Sequence, residues 1–152
     1  RLPITSTQAE GTMRKTGFTI ALAGLALIAA VPATAQDRRV PADAGGKLAE
    51  FAGEPWYEPL SYCTAVWSHL ADLTPEAAEQ GAYRQNAVAF RHRGALRLGA
   101  DRGWTHQRAL EVFGRRVENH VFMMRRLEDR QQVLSHGPEC QAVLETYDAA
   151  NP

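Results

Sequence analysis

Between residues 60 and 149 the apolar side chains recur at steps of three and four, the spacing that gathers them on one side of an α-helix. A first helix is predicted over 60–73, with Cys63, Val66, Trp67, Leu70 and Leu73 on one face. Thr74-Pro75-Glu76 then supplies a start signal: a hydroxyl to cap, a proline where no N–H is needed, and an acid in the first turn. The second helix, 75–98, carries Tyr83, Ala87, Phe90, Gly94 and Leu98 along its buried stripe. A glycine inside a helix costs ~1 kcal/mol relative to alanine, so Gly94 predicts the close approach of another helix.

The run from Gly99 to Trp104 breaks the pattern, and Thr105 can cap a new helix. This third helix, over 105–135, has the clearest periodicity: Leu110, Phe113, Val117, His120, Met124, Leu127, Gln131 and Leu134, widened by Val121, Phe122 and Val133. Glu111 with Arg115, and Arg126 with Asp129, are spaced to pair on its outer face. His136-Gly137-Pro138 reads as a stop, and a fourth helix over 138–149 presents Cys140, Val143, Leu144 and Tyr147. No run alternates with the period of a strand. The class is therefore all-α: four main helices, with a long antiparallel hairpin (about 75–98 and 105–135) and two shorter end helices packed on it. Residues 47–152 are expected to form this single helical domain, opening with a short helical turn over 47–53. Residues 36–46, polar and containing Pro41 and Gly45-Gly46, read as a flexible segment ahead of it.

Upstream the pattern changes to Met13-Arg14-Lys15, a mostly apolar block from Phe18 to Val31, and Ala33 and Ala35 at small-residue positions. The block is 14 residues long, whereas a helix crossing a bilayer needs ~20. Residues 13–35 are thus expected to be a cleaved secretory signal peptide, leaving no stable membrane span. Residues 1–12 precede the first methionine and are expected to be a non-native upstream extension. The expected mature chain, 36–152, would then work in the periplasm or outside the cell.

An exported setting changes how the two cysteines are read. Cys63 and Cys140 are too far apart for a C-x-x-C redox pair, a haem attachment or a zinc knuckle, and an even count in an oxidising compartment implies a disulfide. That bridge conflicts with a straight up-and-down bundle, which would leave the two residues ~15–20 Å apart along the axis, when a disulfide needs Cα atoms within about 7 Å. Three resolutions stand open: the third helix ends early or bends near Asp129-Arg130-Gln131, the fourth crosses the hairpin obliquely, or the bridge is absent. The favoured arrangement is the long hairpin with the end helices packed across it and stapled together.

Charge is unevenly spread. Residues 84–130 carry 11 basic and 5 acidic side chains, between 36–83 with 3 and 8 and 131–152 with 0 and 3. A basic middle can attract anionic partners, but an exported protein is not expected to meet nucleic acid. The acidic ends folding back on the middle explain the same pattern.

No chemistry-bearing motif emerges. The serines lack an elbow or glycine-rich setting, no Glu-x-x-His repeat occurs, and neither cofactor nor catalysis is expected. His120, in the seam of the third helix, is a weak metal candidate that reads more simply as a core histidine. Trp56, Tyr57 and Trp104, at the ends of elements, and Arg108 and Arg115 are the candidate binding residues, although the aromatics read more simply as caps on the ends of a small core. The expected role is binding, to an envelope protein or an anionic envelope component, with a small-molecule, haem or metal carrier as the alternative.

Overall fold

The helix apolar on most of its sides takes the centre of the molecule. In the computed structural model, which describes residues 39–151, α1 (Tyr57–Leu73) buries twelve of its 17 residues. A helix that is apolar all round has to be enclosed, and α2 (Ala77–Arg102), α3 (His106–Leu127) and α4 (Arg130–Ala150) all pack against it. The all-α class, the four main helices and the antiparallel α2–α3 pair agree with the sequence pattern. The placement of the first helix does not follow from its single predicted stripe: Leu60, Ala65 and Ala71 are buried too, while Leu73 is 37% exposed. Among the described residues there is no strand, only an isolated bridge between Arg39 and Pro55.

The conflict over the cysteines is resolved by an early break. α3 stops at Leu127, Glu128 and Asp129 adopt extended conformations, and Asp129 caps α4. Its carboxylate accepts from the Gln132 N–H (2.9 Å) while the Gln132 side chain accepts from the Asp129 N–H (2.7 Å), satisfying two donors that a helix start otherwise leaves open. Ending at 127 instead of 135 takes ~12 Å off α3 and gives α4 the same length ahead of position 138. Cys140 thereby comes level with Cys63, and the disulfide forms with the Cα atoms 5.4 Å apart.

The expected stop at His136-Gly137-Pro138 is therefore corrected: α4 runs through it, with Pro138 inside the helix. Gly137 is buried for another reason, since a Cβ there would lie 3.2 Å from the Trp67 ring. It lets α4 close onto α1. Similarly, α2 continues past Gly99 and ends at Gly103, whose φ of +64° suits a residue without a Cβ. Gly99 is helical because it packs against Ala109 across the α2–α3 contact. The pairs expected on the outer face of the third helix do not form: Asp129 is used as a cap, Arg126 lies over the Phe122 ring, and Glu111 and Arg115 stay apart.

The leader expected at 13–35 and the extension at 1–12 lie outside the described residues. Of the segment expected to be flexible, residues 39–46 are docked. Val40 is 2% exposed, donates to the Glu54 carbonyl and accepts from Gly53, both at 2.9 Å. Its one large apolar side chain outweighs the polar composition around it. The predicted short turn is a 3-10 helix, Gly46–Phe51, which lies against α1 and α4.

Candidate functional site

The acidic ends do fold back on the basic middle. Arg93 grips both carboxylate oxygens of Asp148 at 2.7 and 2.8 Å. Arg116 pairs with Glu58, Arg125 with Asp72 at 2.8 Å, and Arg97 with Asp101 at 3.1 Å. Arg130 reaches Glu79 at 3.9 Å, and Arg102 donates to the Tyr57 hydroxyl at 3.0 Å. What remains is informative. Arg84, Arg91, Arg108, Arg115 and Arg126 form no ion pair among the described residues; Arg108 lies over the Trp104 ring (4.8 Å) and Arg126 over Phe122 (5.5 Å).

Two of these unpaired arginines, Arg84 and Arg91, line a cleft between α2 and α3. At one end the helices are pinched by small residues: Gly94 under the Phe113 ring, and Gly99 against Ala109. Ala95 is also fully buried there. The cleft is about 380 Å³, with Thr64, Ser68 and Ala71 of α1 as its floor. Arg84 and Arg91 stand on the α2 wall, seven residues apart, or ~10.5 Å along the axis. Gly114, Val117 and Glu118 form the α3 wall, and a Cβ at Gly114 would already touch the Arg91 guanidinium at 3.7 Å.

Few polar groups in the cleft are already engaged. The Thr64 hydroxyl donates to the Leu60 carbonyl (2.7 Å), and Asp72 is held by Arg125. Ser68, Arg84, Arg91 and Glu118 have no hydrogen-bond or ion-pair partner among the described residues. The cleft's lining includes no histidine or cysteine among the described residues, and its carboxylates are Asp72 and Glu118. The arrangement is suited to holding a charged ligand against a part-apolar floor.

The residues nominated from sequence are divided by the structure. Trp56 and Tyr57 are 1% and 2% exposed and are corrected to core. Trp56 packs edge-on to Tyr147 (ring centroids 5.5 Å), and the Tyr57 ring lies under Arg116. Their position at an element end suggested exposure, but Tyr147 of α4 and Arg116 of α3 lie against their rings. Arg108 lies over the Trp104 ring at the start of α3. There Arg108 and Arg115, with Thr105, Glu111 and Val112, line a shallow opening of about 320 Å³.

His120 is half-buried, with its ring edge-on to Tyr62 at 5.8 Å; burial first and Arg116 second push its pKa down. His136 meets the same tyrosine ring at 5.7 Å and contacts Glu128 and Glu139. Among the described residues no group of three or more His, Cys, Asp or Glu is placed to hold a metal ion, and no helix is long and apolar enough to cross a membrane.

Arg84, Arg91 and Ser68 escaped the sequence reading. The signal for the arginines is a seven-residue spacing beside the buried stripe of α2, visible once the neighbouring helix is known. No family model matches the chain, and no curated protein or solved structure matches it either.

Proposed function

We propose that this chain is an exported binding protein that works without catalysis, and that the α2–α3 cleft receives a charged group of a partner protein or envelope component. One observation carries the reading. Arg84 and Arg91 line a cleft with no partner among the described residues, in a molecule whose other α2 arginines are engaged by Asp148, Asp101 or Tyr57. A planar guanidinium with open donors is well suited to a carboxylate or phosphate. Export is supported by the leader pattern at 13–35 and by a disulfide, which fits an oxidising compartment.

The test is capture from envelope extract with four proteins: wild type, Arg84→Glu/Arg91→Glu, Arg108→Glu/Arg115→Glu, and Arg93→Glu. Wild type and the Arg108/Arg115 variant are expected to recover the same component, and the Arg84/Arg91 variant to lose it. Arg93→Glu controls for loss of a structural pair. Equal recovery by all four, or recovery of nothing but the protein itself, overturns the proposal. Native mass spectrometry on material from the exported fraction adds a direct check for a retained small molecule.

A further inference from the structure

The open charges of the cleft are of both signs. Arg84 and Arg91 project from α2, Glu118 from α3, and none of the three is bonded to another described residue. Opposite charges that line one cavity normally close on each other. Here they do not pair, and the Ser68 hydroxyl and the apolar Val88, Ala71 and Val117 line the same cleft. Asp72, the remaining charge, is already neutralised by Arg125.

This pattern discriminates among ligands. A polyanion would satisfy the arginines but lie against Glu118, and a polycation would suffer the reverse. A ligand with a carboxylate at one end and an ammonium at the other satisfies all three side chains at once. A cavity of about 380 Å³ falls at the small end of the usual range for small-molecule sites, ~300–1,000 Å³.

Resting on the cleft being the binding site, the geometry points to a zwitterionic ligand, an amino acid or short peptide with both termini free. Its carboxylate sits between Arg84 and Arg91 and its ammonium at Glu118. Ser68 is placed to bond a backbone polar group, and the valines cover an apolar side chain. A zwitterion also gives a partner to Glu118, the one open acidic group in a cleft whose other open charges are basic.

Isothermal titration of the purified full chain with the dipeptide Ala-Leu, its N-acetyl form, its C-terminal amide, free leucine and citrate tests it. Wild type is expected to bind Ala-Leu or leucine about tenfold tighter than either blocked dipeptide, the scale of losing one charge-assisted contact. Glu118→Gln removes the preference over the N-acetyl form and keeps the preference over the amide. Arg84→Gln/Arg91→Gln does the opposite. All three positions are exposed, and matching thermal transitions confirm that the variants fold.

Citrate or the N-acetyl dipeptide binding more tightly than Ala-Leu, with loss in the arginine variant, overturns the zwitterion while leaving the anion-binding cleft intact. Binding indifferent to Arg84→Gln/Arg91→Gln removes both. Failure of every probe to bind wild type overturns the zwitterion alone, because the component captured from extract is tested separately.

Discussion

Replacing Gly94 with alanine tests the pinch between α2 and α3. In an exposed helix the change would stabilise by up to ~1 kcal/mol, because glycine has more conformational freedom to lose on folding. At position 94 a Cβ would fall inside the van der Waals envelope of the Phe113 ring, on Cε2 and Cζ. Phe113 is fully buried, so its ring has no solvent to swing into. Forcing a methyl group into a packed core costs ~1–3 kcal/mol and can cost more, and the clash here is with the ring itself rather than a flexible tip. The net expectation is destabilisation by ~1–2 kcal/mol, read as a lower urea midpoint with an unchanged slope. Gly81 in the same helix is the control, since a Cβ there meets nothing within 4 Å. Gly81→Ala should raise the midpoint. Phe113→Leu deletes the atoms in conflict, so Gly94→Ala/Phe113→Leu should be more stable than the sum of the single changes. A Gly94→Ala protein as stable as wild type, or an additive double variant, would refute the close contact of Gly94 with the Phe113 ring.

The packing also predicts three other outcomes. Thiol titration of denatured protein should find no free thiol without reductant and two with it; removing the 77-residue link should cost at most about 4.5 kcal/mol in the chain-entropy account. Two thiols without reductant would remove the staple. Asp129→Ala should lower stability by ~1 kcal/mol through loss of the cap, whereas a continuous helix through 128–129 would be indifferent to it or gain from it. Burial pushes His69 and His120 below the usual histidine pKa, with Arg125 and Arg116 as the second causes. Below about pH 6.5, the unfolded value, the unfolded chain takes up more protons than the folded one. Stability should therefore fall as pH drops through the depressed folded values, and less so in His69→Gln/His120→Gln. An unchanged slope in urea midpoint against pH would count against that origin.

Local signals located most of the helices and some of their contacts. The buried stripe of α2 from Ala87 to Leu98 was readable from spacing alone, and Gly94 announced a neighbour because a glycine in a buried helical face needs a reason. The cysteine pair was readable too, and its length conflict marked the region of Asp129 as one place where the chain could yield. The boundaries at 128–129 and 138 were not. A histidine, a glycine and a proline in succession resemble a stop whether or not α1 is near, and only the Trp67 ring against Gly137 shows what that glycine is for.

The site was the least legible part. Arginine content identified a basic middle, but pairing decides which arginines remain open. Asp72, Asp148 and Glu58 lie 53, 55 and 58 residues from the arginines they hold, and no local pattern carries such separations. Trp56 and Tyr57 show the same dependence, since the groups against their rings, Tyr147 and Arg116, come from α4 and α3.

The helical class, the approximate helices and the expectation of a cysteine staple were legible in the sequence, because periodicity and cysteine count are local or simple properties. The bond itself is a matter of tertiary geometry. The central position of α1, the early turn into α4 and the identity of the open charges were decided only by the tertiary structure. Each depends on which distant side chain arrives first at a shared volume or a shared charge, and that competition is settled by packing.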